Sequence, residues 1–419
     1  MTHDERATPD EGASGTRGTE SIYVRRRRLV VLGALAAVAA VLVGWAALRG
    51  PGKPAPPPLP PGAVAIDVWA PYWTLSDTVA EVPERLAVVR EASPFWYGAR
   101  GVAEIVVDQH ADDDRMDAFI DALAATPAAF VPSIRDEMPA GGMARILADP
   151  DTRSAHIDAL VAFADELGAA GLDLDYEQFA FADGRSTWAT TRPHWTAFVE
   201  QLAAALHADG RTLTISIPPV YDDGETDASG YWVYDHGTIA EHVDAIRIMA
   251  YDFSVAEAGP IAPLEWVRTV VTGVSAAVPT EYHDRLVLGV PAYGSNWVAS
   301  TAGSCPADAE GKTTVSVRSV GELAQRRGGV PAYDSVSGEW AFGYELRVDD
   351  GSTACVQTRA VRWVGAEGIA ARTELARRAG WGGVALWALG YEDAAAWRAL
   401  VASAHGPMAG APATTPDGP

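Results

Sequence analysis

Short apolar, β-branched runs alternate with longer stretches rich in Ala and Leu through most of the chain. Runs of this length are typical of buried strands, whereas the longer stretches repeat apolar residues every three or four positions, as helices do. Eight strands are predicted in this way, at Val64–Trp69, Ala92–Tyr97, Ala129–Ile134, Leu172–Tyr176, Leu213–Ile217, Ala245–Ala250, Leu286–Val290 and Val384–Trp387. Helices are predicted between many of them, at His156–Leu167, Pro193–Ala208, Leu264–Val278, Ile369–Ala379 and Asp393–Ala402.

The alternation of strands and helices predicts an α/β fold, and its length over residues 63–405 suits a (β/α)8 TIM barrel. An open, doubly wound sheet is the alternative that the pattern alone leaves open. No Gly-rich dinucleotide or phosphate loop follows the first predicted strand, and this favours the barrel.

The interval between the last two predicted strands, from Val290 to Val384, is too long for one crossover connection. Residues 294–362 within it contain both cysteines and alternating runs such as Trp340–Leu346. We therefore predict a small, mostly β insertion between strands seven and eight. Its place on the catalytic face of a barrel would let it form one wall of a cleft.

An uncharged, mostly apolar run from Leu29 to Leu48 follows four arginines at residues 25–28. Twenty residues at about 1.5 Å each span the hydrocarbon core of a bilayer, so one transmembrane helix is predicted. The arginines predict a cytoplasmic N-terminus. A cleaved signal peptide is the alternative, but the run is long and lacks a small-residue cleavage site. Either interpretation places everything after residue 50 outside the cytoplasm, and the first predicts a single-pass cell-membrane protein.

Composition divides the rest of the chain. The polar start predicts a disordered cytoplasmic tail, and the Pro-rich segment after the apolar run predicts a stiff linker. The predicted boundaries are 1–28 for the tail, 29–48 for the anchor, 49–62 for the linker, 63–405 for one folded catalytic unit and 406–419 for a second disordered tail.

Overall composition limits the classes of function. The 419 residues are 48% hydrophobic, which suits a large core, and the formal net charge of −23 disfavours nucleic-acid binding. Cys305 and Cys355 are too few for a zinc cage, and outside the cytoplasm they are expected to form a disulfide. The histidines show no metal-ligand spacing, so neither a metal nor a cofactor is predicted.

The strongest chemical signal is the spacing of Asp173, Asp175 and Glu177. Residues two apart on a strand point the same way, so the three carboxyls would line one face. Like charges this close cannot all ionise, which raises one pKa and would leave Glu177 protonated as a general acid. A solvated edge strand and a hard-cation site are the alternatives that spacing alone leaves open.

Residues 170–177 read A-G-L-D-L-D-Y-E and resemble the D-G-x-D-x-D-x-E signature of glycoside hydrolase family 18, the chitinase-like hydrolases. Residues 249–252, M-A-Y-D, resemble the M-x-Y-D of the sixth strand, and residues 383–393 resemble the eighth-strand segment. The resemblance covers residues 63–403 and is nearest the branch of spore-cortex and peptidoglycan N-acetylglucosaminidases. Two departures are Ala170 in place of the first Asp, and Ser133-Ile134-Arg135 without the glycines of the third-strand S-x-G-G.

The resemblance implies a substrate-assisted retaining mechanism. Glu177 would protonate the glycosidic oxygen, and Asp175 would bind and orient the substrate's acetamido group. Asp173 would share a proton with Asp175, and Tyr251 would donate its phenol to the acetamido oxygen. The remaining implied substrate contacts are the sugar platform Trp387 and the residues shaping the same subsite, Asp252 and Met249.

Several aromatic residues follow predicted strands, where barrel enzymes keep their sites. These candidates for substrate binding are Trp69, Tyr72, Tyr221 and Tyr293. Together with the resemblance, they predict an enzyme that hydrolyses β-1,4 bonds in N-acetylglucosamine polymers, either chitin-type or peptidoglycan. A non-catalytic chitinase-like carbohydrate-binding protein is the alternative.

Overall fold

The computed structural model describes residues 59–75 and 81–406. The predicted cytoplasmic tail, the transmembrane helix at 29–48, most of the linker and nearly all of the C-terminal tail lie outside the described residues. Within the two described ranges, no helix combines the length and the apolar character that a membrane span requires.

The strands form two sheets. The first nine are β1 (Ala65–Pro71), β2 (Glu91–Ala99), β3 (Ile105–Val107), β4 (Ala129–Phe130), β5 (Ser133–Asp136), β6 (Gly171–Asp175), β7 (Thr212–Ile217), β8 (Ala245–Ile248) and β9 (Leu286–Pro291). The other six are β10 (Tyr293–Gly303), β11 (Thr313–Ser316), β12 (Ala332–Asp334), β13 (Glu339–Asp349), β14 (Ala354–Trp363) and β15 (Gly383–Trp387).

Eight parallel strands close into a barrel, in the order β1-β15-β9-β8-β7-β6-β5-β2. Strand β1 pairs in parallel with both β15 and β2, so neither end of the sheet is left open. The barrel prediction is therefore confirmed, and the open sheet is wrong. The predicted strand Ala129–Ile134 is divided into β4 and β5 around Pro132, because proline has no N–H to donate to a strand ladder.

Eleven α-helices are described, most of them in the connections between barrel strands. They are α1 (Val82–Leu86), α2 (Asp113–Ala124), α3 (Gly142–Ala148), α4 (Pro150–Glu166), α5 (Gln178–Phe181), α6 (Trp188–Ala208), α7 (His236–Ile239), α8 (Leu264–Ala277), α9 (Val317–Arg327), α10 (Ala366–Arg378) and α11 (Ala394–His405). Short 3-10 helices occupy Tyr72–Thr74, Arg185–Thr187, Trp232–Tyr234 and Thr280–Arg285.

Helices α4, α6 and α10 begin earlier than their apolar periodicity predicts, α10 by three residues. Helix α4 begins at Pro150 because Asp149 caps it, accepting hydrogen bonds from the N–H groups of Asp151 and Thr152. Helix α6 begins at Trp188, which places Pro193 inside it although the sequence predicts a start there. Its buried face already includes Trp188, so packing of that face outweighs the hydrogen bond that proline removes.

The predicted insertion is a separate antiparallel sheet between barrel strands β9 and β15. Its strand order is β11-β10-β14-β13-β12, and it spans Tyr293–Trp363, close to the predicted 294–362. Cys305, just after β10, forms a disulfide with Cys355 on β14.

The barrel interior is charged as well as apolar. Arg247 on β8 is fully buried and donates to Glu91 at 2.9 Å, to Asp173 at 3.0 Å and to the Ser93 hydroxyl at 2.7 Å. Its Nε also lies 3.4 Å from the carboxylate of Asp67. Buried charges require such pairing, so this network connects β1, β2, β6 and β8 beneath the cleft described below.

Candidate active site

Strand β6 brings the predicted acids to the centre of the barrel. Asp173 and Asp175 lie on the strand and are buried. The strand ends at Asp175, however, and Glu177 has helical backbone angles (φ −107°, ψ −22°) at the start of α5. The prediction that one extended strand carries all three carboxyls is thus wrong at Glu177, because the chain turns into α5 directly after Tyr176. Glu177 nevertheless lines the same cleft as Asp175.

Asp173 lies beneath the cleft and accepts four hydrogen bonds. The indole of Trp69 donates at 3.0 Å, the Ser216 hydroxyl at 2.7 Å and Arg247 at 3.0 Å, and Ser133 provides the fourth donor. The charge of Arg247, the indole of Trp69 and the two hydroxyl donors therefore satisfy this carboxylate.

Asp175 and Glu177 have a different environment. Oδ1 of Asp175 is buried and has no hydrogen-bond partner among the described residues. Burial, together with the nearby charges of Glu177 and Asp173, raises the pKa of Asp175 well above its usual range. Burial and the charge of Asp252 raise the pKa of Glu177 to about 7. The pair is therefore expected to hold a proton near neutral pH.

A cleft of about 880 Å³ opens above these carboxyls. It brings together most of the predicted site residues, namely Asp175, Glu177, Tyr251, Trp387, Asp252, Met249, Trp69 and Tyr221. Among the described residues, Asp173, Tyr72 and Tyr293 are the predicted site residues that do not line it. Asp173 lies below the cleft. Tyr293 contacts the lining residues Asp252 and Tyr251, whereas Tyr72 contacts Trp73, which does not line the cleft.

Aromatic rings form the floor of the cleft around Trp387. Its ring meets Phe95 edge to face at 4.8 Å and Trp69 at 5.7 Å. The ring of Tyr251 lies nearly parallel to Trp387, with centroids 6.4 Å apart. Burial and neighbouring carboxyls raise the pKa of Tyr251 well above 10, so its hydroxyl stays protonated and can donate a hydrogen bond.

Tyr293 and Tyr72 support the cleft from outside it. The Tyr293 hydroxyl donates to Asp252, which has a positive φ of 57° directly after Tyr251. Aspartate is one of the few non-glycine residues that adopt this left-handed conformation readily, and here it turns the chain at the rim. Tyr72 contacts the Trp73 ring edge to face at 5.0 Å.

The cleft contains residues that the sequence analysis missed. Phe95 and Arg135 lie on strands β2 and β5 themselves. Phe181, Tyr231, Phe253 and Trp266 lie in the loops and helices that follow β6, β7 and β8. A position after a strand end is the available signal for these four, whereas the sequence marks Arg135 only as a departure from a glycine motif. Among the described residues, no group of three or more His, Cys, Asp or Glu side chains is arranged to hold a metal ion.

The barrel thus carries a carboxyl pair at the end of β6 and an aromatic floor around Trp387. The sequence profile of glycosyl hydrolases family 18 matches residues 136–392, more than half of the chain. The chain belongs to this family and is a glycoside hydrolase.

Individual relatives agree with this assignment. The chain is 32% identical over 156 residues to YdhD of Bacillus subtilis (strain 168), whose name describes a sporulation-specific glycosylase; the match covers 37% of this chain and 34% of YdhD. It is 23% identical over 261 residues to the uncharacterized glycosylase YvbX of the same strain, covering 61% of this chain and 67% of YvbX. The chain thus spans about a third of one relative and two thirds of the other.

Solved structures share the fold. A chitinase from Chromobacterium violaceum matches with a TM-score of 0.65 at 21% identity, covering 81% of this chain and 99% of the chitinase. The spore cortex-lytic enzyme SleL of Bacillus megaterium matches with a TM-score of 0.63 at 15% identity, covering 84% of this chain and 75% of SleL.

Proposed function

We propose that this enzyme hydrolyses β-1,4-glycosidic bonds in N-acetylglucosamine polymers, of the peptidoglycan or chitin type, by substrate-assisted retaining catalysis. The observation that carries the proposal is the pair of Asp175 and Glu177, which share one cleft and have raised pKa values. Such a pair supplies one protonated acid and one carboxylate at neutral pH.

In the first proposed step, Glu177 donates its proton to the glycosidic oxygen and the bond to the anomeric carbon breaks. The acetamido oxygen of the substrate attacks that carbon from the opposite face and forms an oxazolinium ion. Asp175 accepts a hydrogen bond from the acetamido N–H, and its buried, unpartnered Oδ1 supports this role. Water, deprotonated by Glu177, then opens the ring of the intermediate and restores the starting configuration.

The surrounding residues would hold the sugar in place. Tyr251 donates to the acetamido oxygen, and Trp387 supplies an apolar face for the sugar ring. Met249 and Asp252 shape the same subsite, and Trp69 and Tyr221 also line the cleft. Tyr293 acts through Asp252, and Tyr72 packs against Trp73.

The proposed proton sharing between Asp173 and Asp175 places a condition on the mechanism. Asp173 already accepts from four donors, including Arg247 and Trp69. Asp173 must therefore exchange one of these donors for Asp175 before the two carboxyls can share a proton.

We further propose that the catalytic domain lies outside the cytoplasm, attached to the cell membrane by a helix at 29–48 and a linker at 49–62. The apolar run and its preceding arginines support this location. A short stiff linker would keep the enzyme near its own envelope, which favours wall glycan over chitin as the substrate. The names of YdhD and SleL, a sporulation-specific glycosylase and a spore cortex-lytic enzyme, support the same preference.

The role of Glu177 is tested with the purified full chain on chitin oligosaccharides and on peptidoglycan, by measuring released reducing ends. Glu177→Gln is expected to lower turnover about 100- to 10,000-fold, because it removes the acid while keeping the shape of the side chain. Activity of the unchanged enzyme should fall as the pH rises through about 7, where Glu177 loses its proton.

Glu166→Gln, an exposed change at the end of α4, is the matched control and should retain full activity. Proton NMR of the first product should show the β anomer. Binding of oligosaccharide by the unchanged chain without release of reducing ends would instead identify a non-catalytic carbohydrate-binding protein.

A further inference from the structure

Arg135 occupies the cleft at the point where the family signature S-x-G-G has a glycine. It lies on β5, the neighbour of β6, and pairs in register with Asp175. Both side chains line the cleft. Among the described residues, Arg135 is the only basic side chain that does so. The departure from the family pattern therefore adds a positive charge beside the carboxylate proposed to bind the acetamido group.

Three contacts hold the guanidinium of Arg135 in place. Its Nη2 donates to Asp108 at 3.0 Å and to Glu137 at 2.7 Å. The group lies over the ring of Phe95, 5.4 Å from its centroid, and Glu137 is held in turn by Arg100 at 2.7 Å. None of Asp108, Glu137 and Arg100 lines the cleft. Arg135 is therefore held by Asp108 and Glu137 so that its own side chain lines the cleft while those two carboxylates do not.

Two buried atoms at this position have no partner among the described residues. One is Nε of Arg135, a donor, and the other is Oδ1 of Asp175, an acceptor. They belong to register-paired residues on adjacent strands. A buried polar group without a hydrogen-bond partner lowers the stability of the folded protein. A positive charge near a buried carboxyl offsets part of this loss, because it favours the ionised form of the carboxyl.

We propose that Arg135 is a positioning residue that keeps Asp175 ionised and thereby leaves the shared proton of the carboxyl pair on Glu177. This inference rests on the proposed function, in which Glu177 is the acid and Asp175 the acceptor. Arg135 itself acts through Asp175 and takes no part in bond making.

Two of the surrounding charges act in the direction that the proposal requires, that of Arg135 on Asp175 and that of Asp252 on Glu177. Arg135 opposes the rise in the pKa of Asp175, which is caused by burial, Glu177, Asp173 and, from β5, Asp136. The Asp252 charge raises the pKa of Glu177. The remaining titratable groups facing Asp175 are the phenols of Tyr251 and Tyr234, which stay neutral because their pKa values are raised well above 10.

The test compares Arg135→Gln, Arg135→Lys and Arg100→Gln with the unchanged full chain. Titration of 13C-carboxyl-labelled aspartates by NMR, with Asp175 assigned through Asp175→Asn, reads its ionisation without substrate. Arg135→Gln should raise the pKa of Asp175 by about one unit or more, because an opposite charge a few ångströms away lowers a carboxyl pKa by about 1–3 units. Arg135→Lys should give a smaller rise, and Arg100→Gln should give none.

The pH dependence of kcat/KM on an oligosaccharide is the second readout. The acidic limb should move to higher pH in Arg135→Gln by the same shift, since Asp175 must be ionised to act. Turnover should fall more than substrate affinity. If Arg135 served packing alone, Arg135→Gln would lower the midpoint of thermal unfolding. It would change neither the pKa of Asp175 nor the acidic limb of the kcat/KM profile.

An unchanged Asp175 titration in a folded Arg135→Gln variant overturns the inference and leaves the proposed function intact. Absence of hydrolysis by the unchanged chain overturns the proposed function, and the NMR titration still decides whether Arg135 keeps Asp175 ionised. Should Arg135→Gln fail to fold, Arg135→Lys tests the inference instead. It moves the positive charge and is therefore expected to raise the pKa of Asp175.

Discussion

The aspartates of β5 and β6 show how a side chain's neighbours decide its protonation. Asp173 accepts four hydrogen bonds, one of them from a buried arginine. Asp175 and Asp136 are buried as well, but each keeps one carboxyl oxygen without a partner among the described residues. Burial accordingly raises the pKa of Asp136 to about 7 and raises that of Asp175 well above its usual range. The pKa values of Asp136 and Asp175 thus rise because the described residues leave one buried oxygen of each without a donor.

Asp136→Asn should make stability less dependent on pH. The folded pKa of Asp136 lies above its unfolded value, so its contribution to stability is full below about pH 4 and is lost as the pH rises through about 7. At about 1.4 kcal/mol per unit, the unchanged protein should lose up to about 4 kcal/mol from this residue between those limits.

Urea unfolding at pH 5 and pH 8 checks this prediction. The asparagine variant should gain stability relative to the unchanged chain as the pH is raised. If the free energies of unfolding of the two proteins differed by the same amount at pH 5 and at pH 8, the prediction would be wrong.

At the scale of elements, the insertion depends on a covalent link between its strands. Strands β10 and β14 pair from Gly294↔Trp363 to Gly303↔Cys355, and Cys305 follows directly after the end of β10. The disulfide between Cys305 and Cys355 therefore fastens the far end of this ladder, where the side chains are mostly exposed. The sequence separation of 50 residues makes the closed loop long.

Replacement of both Cys305 and Cys355 by serine should lower stability by about 2–4 kcal/mol, because an open chain of this length gains entropy when unfolded. Thermal unfolding of the double variant measures the loss, and the unchanged chain after reduction should lose a similar amount. Equal midpoints with and without reductant would contradict a stabilising disulfide.

At the scale of the whole barrel, one arginine connects distant parts of the chain. Arg247 on β8 contacts carboxylates on β1, β2 and β6, at sequence separations of 180, 156 and 74 residues. The same residue donates to Asp173, directly below the cleft. Closure of the barrel and the lower layer of the active site therefore share one buried charge network.

Arg247→Met should destabilise the protein by about 3–5 kcal/mol, because three buried carboxylates lose their common counter-charge. The loss should be smaller at pH 5, where carboxyls of this kind can take up protons. Arg347→Met is the matched control, since it removes an exposed ion pair with Asp349 and should change stability by less than about 1 kcal/mol. Similar losses in both variants, measured by urea unfolding, would contradict the role of the network.

The sequence by itself determined the eight barrel strands, five of the eleven described α-helices, the insertion and the acids of β6. These features depend on patterns within a few residues, such as apolar runs, helical periodicity and the alternation of Asp173 and Asp175. The local conformation of Glu177 was already beyond these patterns, because the turn into α5 is stabilised by packing of Phe179, which is buried in the core.

Only the tertiary structure decided which charges meet. Arg247 reaches Asp67 across 180 residues, and Arg135 meets Asp175 because β5 and β6 pair in register. No local pattern encodes such contacts, since they exist only after the barrel closes and removes the groups from water. Removal from water also sets the pKa of each carboxyl and the energy of each charge pair. The acid pair is therefore visible in the sequence, but which of its two carboxyls holds the proton depends on the fold.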